Sequence, residues 1–263
     1  MKIVADNFTV SNPLILEKLK NFDEKFFENF FNNILAITNK IDLNFGQLKK
    51  NINDYVKFIF TILNSFNKKL EVFIDTININ TIEECLKYCK KPPVLNAISY
   101  DEFKLNNILP IAVNNNLKIV SLLIEKKVPL TLDDKVSLAL KLIDKITEKG
   151  LPLKNIILDP VVAPLGWENG ALYNKNNLEM MKIKSEIFPV EIKFMMGISN
   201  LTTGATGKNR SVKKIDSYYL AMAYSYGLDY ALINVFNKNL NGLLQFIKIL
   251  EDNLIFSPAI FQE

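Results

Sequence analysis

Short apolar runs alternate with segments whose apolar residues recur every three or four positions, and the alternation continues along the whole chain. Strand-like runs lie near Lys2–Phe8, Ile34–Asn44, Leu70–Asp75, Pro93–Ile98, Leu117–Glu125, Asn155–Asp159, Ile192–Ser199 and Tyr230–Val235. Helical spacing covers Leu14–Phe31, Gln47–Phe66, Thr81–Tyr88, Glu102–Val113, Thr131–Thr147, Asn177–Phe188, Lys214–Tyr226 and Leu240–Leu250. Asp133 and Asp134 open one of these helices, and Gly150 and Gly227 close two others. Eight strand–helix units in 263 residues predict an α/β protein built as a closed (β/α)8 TIM barrel, because an open doubly wound sheet usually has fewer strands. No Gly/Ser-rich or Pro-rich linker breaks the series, so a single domain over residues 1–263 is expected. The Phe-rich stretch FDEKFFENFFNNI keeps its apolar residues at helical spacing and reads as packing against the barrel.

Composition narrows the chemistry. No apolar run approaches the roughly 20 residues of a membrane helix, and the opening MKIVADNF lacks a signal-peptide pattern, so a cytoplasmic protein is expected. The net charge of +4 is spread along the helices, which speaks against a nucleic-acid surface. Cys85 and Cys89 lie four apart on one helical face and read as buried or half-buried thiols. There is no histidine, which removes imidazole acid–base chemistry and histidine metal sites; no tight acidic cluster replaces them, so no protein-bound metal is expected. Lysine is abundant while arginine occurs once, at Arg210, a residue suited to gripping a carboxylate or phosphate with a planar fork.

In a barrel of this type the C-terminal strand ends build the site. The polar residues there are Asp6 or Asn7, Asn44, Asp75, Asn96, Glu125, Asp159, Asn200 and Asn234. Singly, Asp and Asn are ordinary turn residues. Together, a ring of carboxylates and carboxamides without histidine suits a flat neutral heterocycle with donors and acceptors on its edge, such as a pterin. The segment INVFNKNL after the last strand has no Gly-rich phosphate loop.

Six segments, in order, carry a family resemblance: IDLNFG (41–46), VFIDTININTIEECLKYCK (72–90), VLNAIS (94–99), ILDPVV (157–162), GISNLT (197–202) and YLAMAYSYGLDYALIN (219–234). The chain resembles the methyltetrahydrofolate:corrinoid methyltransferases, including the corrinoid/iron-sulfur protein methyltransferases and the folate domain of cobalamin-dependent methionine synthase. The resemblance implies that Asp75, Asn96 and Asp159 bind the pterin edge, that Gly197 and Ser199 line the ring, and that Asn200 hydrogen-bonds near N5. Asp42, Asn44 and Gly46 match the second-strand motif, with Asn44 orienting the others, and Arg210 matches an arginine in the loop after the SN motif. It also implies a homodimer, and a corrinoid (cobalamin) carried by a partner protein. Two departures are visible: LTTGATGKNRS lacks a family glutamine, with Thr203 nearby, and VADNFTV offers Asp6 for an acidic residue but nothing for its neighbouring arginine. The carrier is thus tetrahydrofolate or a methanopterin-type relative.

The implied reaction moves the N5-methyl group of methyltetrahydrofolate, or a related tetrahydropterin, to Co(I). Charge must build at N5, so Asn200 is expected to act as a hydrogen-bond donor, with Asp159 and water completing the proton network. The alternatives are a non-catalytic pterin- and corrinoid-protein-binding subunit, and dihydropteroate synthase, whose expected N-x-T-P-D-S-F and S-R-K motifs are replaced here by DNFTVSNP and GISNLTTG. The 200–210 loop and Trp167, in PLGWENGALY, are candidate partner contacts.

Overall fold

The computed structural model describes residues 1–46, 48, 50–66, 70–204 and 212–252, with the side chains of residues 212 and 213 left aside. Eight parallel strands close into a barrel in sequence order. They are β1 (Lys2–Thr9), β2 (Lys40–Asn44), β3 (Glu71–Asp75), β4 (Val94–Ile98), β5 (Lys118–Leu122), β6 (Ile156–Asp159), β7 (Lys193–Gly197) and β8 (Tyr230–Ile233). The helices between and after them are α1 (Pro13–Lys20), α2 (Glu24–Leu35), α3 (Ile52–Ser65), α4 (Ile79–Tyr88), α5 (Glu102–Asn107), α6 (Leu109–Asn114), α7 (Leu132–Glu148), α8 (Gly170–Ile187), α9 (Val212–Ser225) and α10 (Lys238–Asp252). The expected closed (β/α)8 barrel is the observed fold.

Local chemistry explains where elements depart from expectation. The apolar pair Ile34–Leu35 ends helix α2 instead of opening β2, both side chains being buried against the barrel. The first helical stretch is two helices, because Phe22 takes a left-handed φ of 49° and Asp23 caps the second by accepting from the Phe26 amide. Pro110, in the first turn of α6, separates α5 from α6. Helix α8 begins at Gly170, earlier than expected, where a Cβ would lie 2.3 Å from the Pro164 carbonyl oxygen.

The core has two parts. A large outer cluster fills the space between strands and helices and includes Phe8 in ring contact with Phe27, Phe31 and Phe45. Inside the barrel, Val4, Phe73, Val94, Val120, Ile157, Met195 and Tyr230 form a separate apolar layer. Side chains on a strand return to the same face every second residue. Moving two residues toward the C-terminal ends therefore places Asp6, Asp75, Asn96, Leu122, Asp159, Gly197 and Leu232 above that layer. The floor is hydrocarbon except on β2, where the buried Asp42 stands level with Phe73, and the next layer, which Asn44 joins level with Asp75, is mostly polar.

Candidate functional site

This polar layer lines a cavity of about 370 Å3 at the C-terminal mouth, whose walls include Asp6, Asp42, Asn44, Asp75, Asn96, Asp159, Gly197 and Asn200. Two ladder irregularities flank it. The β1–β2 register shifts between Ala5 and Phe8, around Asp6, and the β4–β5 register shifts between Asn96 and Ile98. Such shifts re-aim side chains.

The side chains fix one another. The Asn44 amide donates from Nδ2 to Asp75 Oδ2 at 2.6 Å, while its Oδ1 accepts from the Gly46 N–H at 2.9 Å. Gly46, at φ 54°, supplies the left-handed turn that brings this N–H back. Asn96 Nδ2 donates to Asp42 Oδ1 at 2.9 Å. Ser199, in a 3-10 turn after β7, donates to Asp6 Oδ2. Across the barrel from β3, Gly197 leaves room for Asn200, since a Cβ at 197 would stand 3.0 Å from Asn200 Nδ2.

Burial raises the acids. Asp6 and Asp75 are each pushed up to about 6 and Asp159 to about 7, chiefly by loss of water, and Asp42 is raised well above the carboxylate range by burial and by the neighbouring Asp75. Hydrogen bonds from Ser199, Asn44 and the Val161 amide pull Asp6, Asp75 and Asp159 part of the way back, and Lys104 and Lys135 add their positive charge at Asp75 and Asp159.

A buried polar network holds the loop after β6. Val161, β-branched, sits at φ 66°, which turns its N–H onto Asp159 Oδ1 at 2.7 Å. Asn177 Nδ2 donates to the Val161 carbonyl at 2.9 Å. Asn174 serves both backbone groups of Ala163, accepting from its N–H at 3.1 Å and donating to its carbonyl at 2.7 Å.

Of the residues singled out from sequence, the structure brings Asp6, Asp42, Asn44, Asp75, Asn96, Asp159, Gly197 and Asn200 together, with Ser199 attached through Asp6. Asn7 and Asn234 do something else: Asn7 donates to Asn234 and accepts from the Val235 N–H, stitching β1 to the segment after β8. Glu125 is exposed three residues beyond β5, which ends at Leu122, so Leu122 takes that place on the cavity wall. Arg210 lies outside the described residues. Cys85 is buried and Cys89 half-buried, both as free thiols; burial pushes Cys89 up to about 12. Trp167 is 56% exposed on the β6–α8 loop. Lys104 on the cavity wall was missed, since a lysine opening a short helix carries no local signal, and so was Lys135, an apparent surface charge in an amphipathic pattern.

The fold and rim define an α/β barrel whose mouth holds amide-tethered carboxylates around one cavity. Residues 46–234 match the family described as pterin binding enzyme, and the chain belongs to that family. A curated relative from Eubacterium limosum, named methylcorrinoid:tetrahydrofolate methyltransferase, is 23% identical over 175 residues, 65% of this chain. The chain spans 62% of that relative's length in the match. Among solved structures, Yersinia pestis dihydropteroate synthase superposes with a TM-score of 0.65 at 13% identity, covering 95% of this chain and 93% of the other. The same organism's enzyme with a pterine-sulfa conjugate gives 0.64 at 13% identity over 96% and 94%. These likenesses establish the fold; the pterin-binding family rests on the sequence match. Among the described residues, no helix is long and apolar enough to cross a membrane.

Proposed function

We propose that this protein moves a methyl group between N5 of a tetrahydropterin, methyltetrahydrofolate or a relative, and the cobalt of a corrinoid on a partner protein. The observation that carries the reading is the pairing of tethered acceptors on β2–β4 with an amide on the opposite wall, in a chain of the pterin-binding family. The relative's name supports the corrinoid as co-substrate. The corrinoid supplies the cobalt that accepts or yields the methyl group. A histidine-free chain has no imidazole for it, which fits a corrinoid carried elsewhere.

Each residue then has a task. Asp75, oriented by Asn44, accepts from the 2-amino group and the adjacent ring N–H, while Asn96, anchored on Asp42, pairs with the next edge atoms. When the methyl carbon leaves N5, the bonding electron pair stays on nitrogen and needs a proton or a strong donor there. Asn200 supplies the donor. Asp159, titrating near 7, stores the proton and exchanges it through water. Microscopic reversibility lets the same groups serve transfer in either direction. In this reading Arg210 grips the anionic tail of the pterin, Trp167 and the loop after β7 meet the corrinoid protein, and the protein works as a cytoplasmic homodimer.

The test is spectroscopic. The protein is mixed with methyltetrahydrofolate and Co(I) cobalamin, and separately with methylcobalamin and tetrahydrofolate, and the cobalt absorbance is followed. Protein-dependent transfer in either mixture is the expected result. Pterin binding without transfer would identify a non-catalytic subunit, and absence of both would remove the reading.

A further inference from the structure

Lys135 lies in the first turn of α7 and is fully buried, beyond the wall of the cavity. A buried ammonium loses several kcal/mol of hydration even after relaxation, so a lysine is retained there only where its surroundings compensate the charge. Its Nζ donates to the Pro160 carbonyl at 2.9 Å, one residue after Asp159, and stands 5.8 Å from the centroid of the Tyr173 ring. Closing the loop needs only a donor, which a neutral amide would provide. The positive charge is surplus to that task, and the carboxyl group that feels it is Asp159.

We infer that Lys135 is a positioning residue of the cavity: its buried ammonium acts on the Asp159 carboxyl across the Pro160 turn, and the two behave as one charge-coupled unit. Lys135 is lowered to about 8 by burial and Asp159 raised to about 7 by burial, and each is shifted partly back by the other's charge. Between these values the pair is doubly charged; below them Asp159 is neutral, and above them Lys135 is neutral. On the cavity side Asp159 shares its space with Asp6, Asp42, Asp75 and Lys104; burial raises Asp6 and Asp75 to about 6 and Asp42 well above the carboxylate range. Tyr173 on α8 offers its ring, Tyr219 on α9 donates its hydroxyl to the Asn174 carbonyl and is pushed upward by burial, and the Val161 N–H caps Asp159. Asp133 and Asp134 of the same turn as Lys135 are exposed, with Asp134 accepting from Thr131. Where the ionised Asp159 meets the pterin edge, methyl-pterin affinity should therefore fall as pH drops through the lower value.

The coupling is tested without any ligand, and only the acid limb of pterin binding rests on the function proposed above. In protein carrying 13Cε-lysine, one resonance should titrate near 8, apart from the surface lysines near 10.4. In Asp159→Asn its midpoint should fall by about one pH unit or more, a tenfold weaker hold on the proton. An unchanged midpoint, or no lysine titrating below 9, would overturn the coupling. Lys135→Met, checked for folding by circular dichroism, should move the acid limb of methyltetrahydrofolate binding upward by about one unit. A folded variant with an unmoved limb would also overturn it; if the variant does not fold, the NMR titration decides. Wild-type protein that binds no pterin at any pH would defeat the function and leave the NMR result standing.

Discussion

Two neighbouring buried carboxylates cannot both stay charged, and Asp42 and Asp75 divide the roles through their amide partners. Asp42 is 2% exposed and raised well above the usual carboxylate range, by burial and then by the charge of Asp75, so of the two it is the one that holds a proton. Asp75, near 6 with Asn44 and Lys104 favouring its charged form, is the anion. An asparagine mimics a protonated aspartic acid but not an ionised one. Asp42→Asn should therefore leave methyltetrahydrofolate affinity within about threefold, with its carbonyl still accepting from Asn96, whereas Asp75→Asn should weaken it roughly 10- to 100-fold, the worth of charged hydrogen bonds. Calorimetry that finds equal losses would show the proton is misplaced. On the opposite wall, Asn200→Ala should slow methyl transfer roughly ten- to a thousandfold while sparing most pterin affinity, as expected for a donor acting on developing charge. Unchanged turnover would take Asn200 out of the chemistry.

At the scale of elements, the loop between β6 and α8 decides how well Asp159 is held. Asn174 satisfies both backbone groups of Ala163 and donates to the Gly170 carbonyl, so it ties the loop to the first turn of α8. Asn174→Ala would strand the Ala163 groups out of water, at a cost of roughly 2–4 kcal/mol. Thermal melting should fall accordingly, with pterin affinity falling too; a melting point within a degree of wild type would mean the loop is held by other contacts. The same region shows what a sequence can and cannot reveal. The alternation of buried runs and amphipathic stretches exposes eight strands, because each strand of a parallel barrel is covered on both faces. The inner polar layer is visible as Asp75 and Asp159 closing the runs VFID and IILD. The beginning of α8 is hidden, since Asn174 and Asn177 face inward to serve a loop and so break the apolar period. Ile34–Leu35 misleads for the opposite reason, as a short apolar run reads alike in a helix end and a strand. Phe22 and Val161 hold left-handed backbone without a glycine to announce it, and Lys135 looks like any exposed lysine until tertiary packing buries it.

For the whole molecule, stacking a polar layer on an apolar one concentrates raised carboxyl groups in one place, and folding stability should depend on pH accordingly. Asp6 rises from an ordinary 3.8 to about 6 and Asp159 from 3.8 to about 7. A group raised on folding binds protons more tightly in the native state, so its contribution is fully present below 3.8 and is lost as pH climbs through 6 to 7. Lys135 acts elsewhere: lowered to about 8 from 10.5, it changes stability chiefly between those values, outside the acid window. The salt-bridged Asp23 is lowered, and works below 3.8. The ligand-free protein should therefore melt higher at pH 5.5 than at pH 8, by roughly 2–4 °C for each kcal/mol recovered. Asp6→Asn, which still presents an acceptor to Ser199 and never ionises, should raise the melting temperature at pH 8 and by only about half as much at pH 5, because the penalty it removes builds up between 3.8 and about 6. Such a variant would be more stable where the wild type is strained by its own site, a trade common where a cavity keeps charge for use. Scanning calorimetry at the two pH values decides it: a wild type that melts higher at pH 8, or an Asp6→Asn gain equal at both, would mean that the cavity acids are as well solvated in the native state as in the unfolded chain.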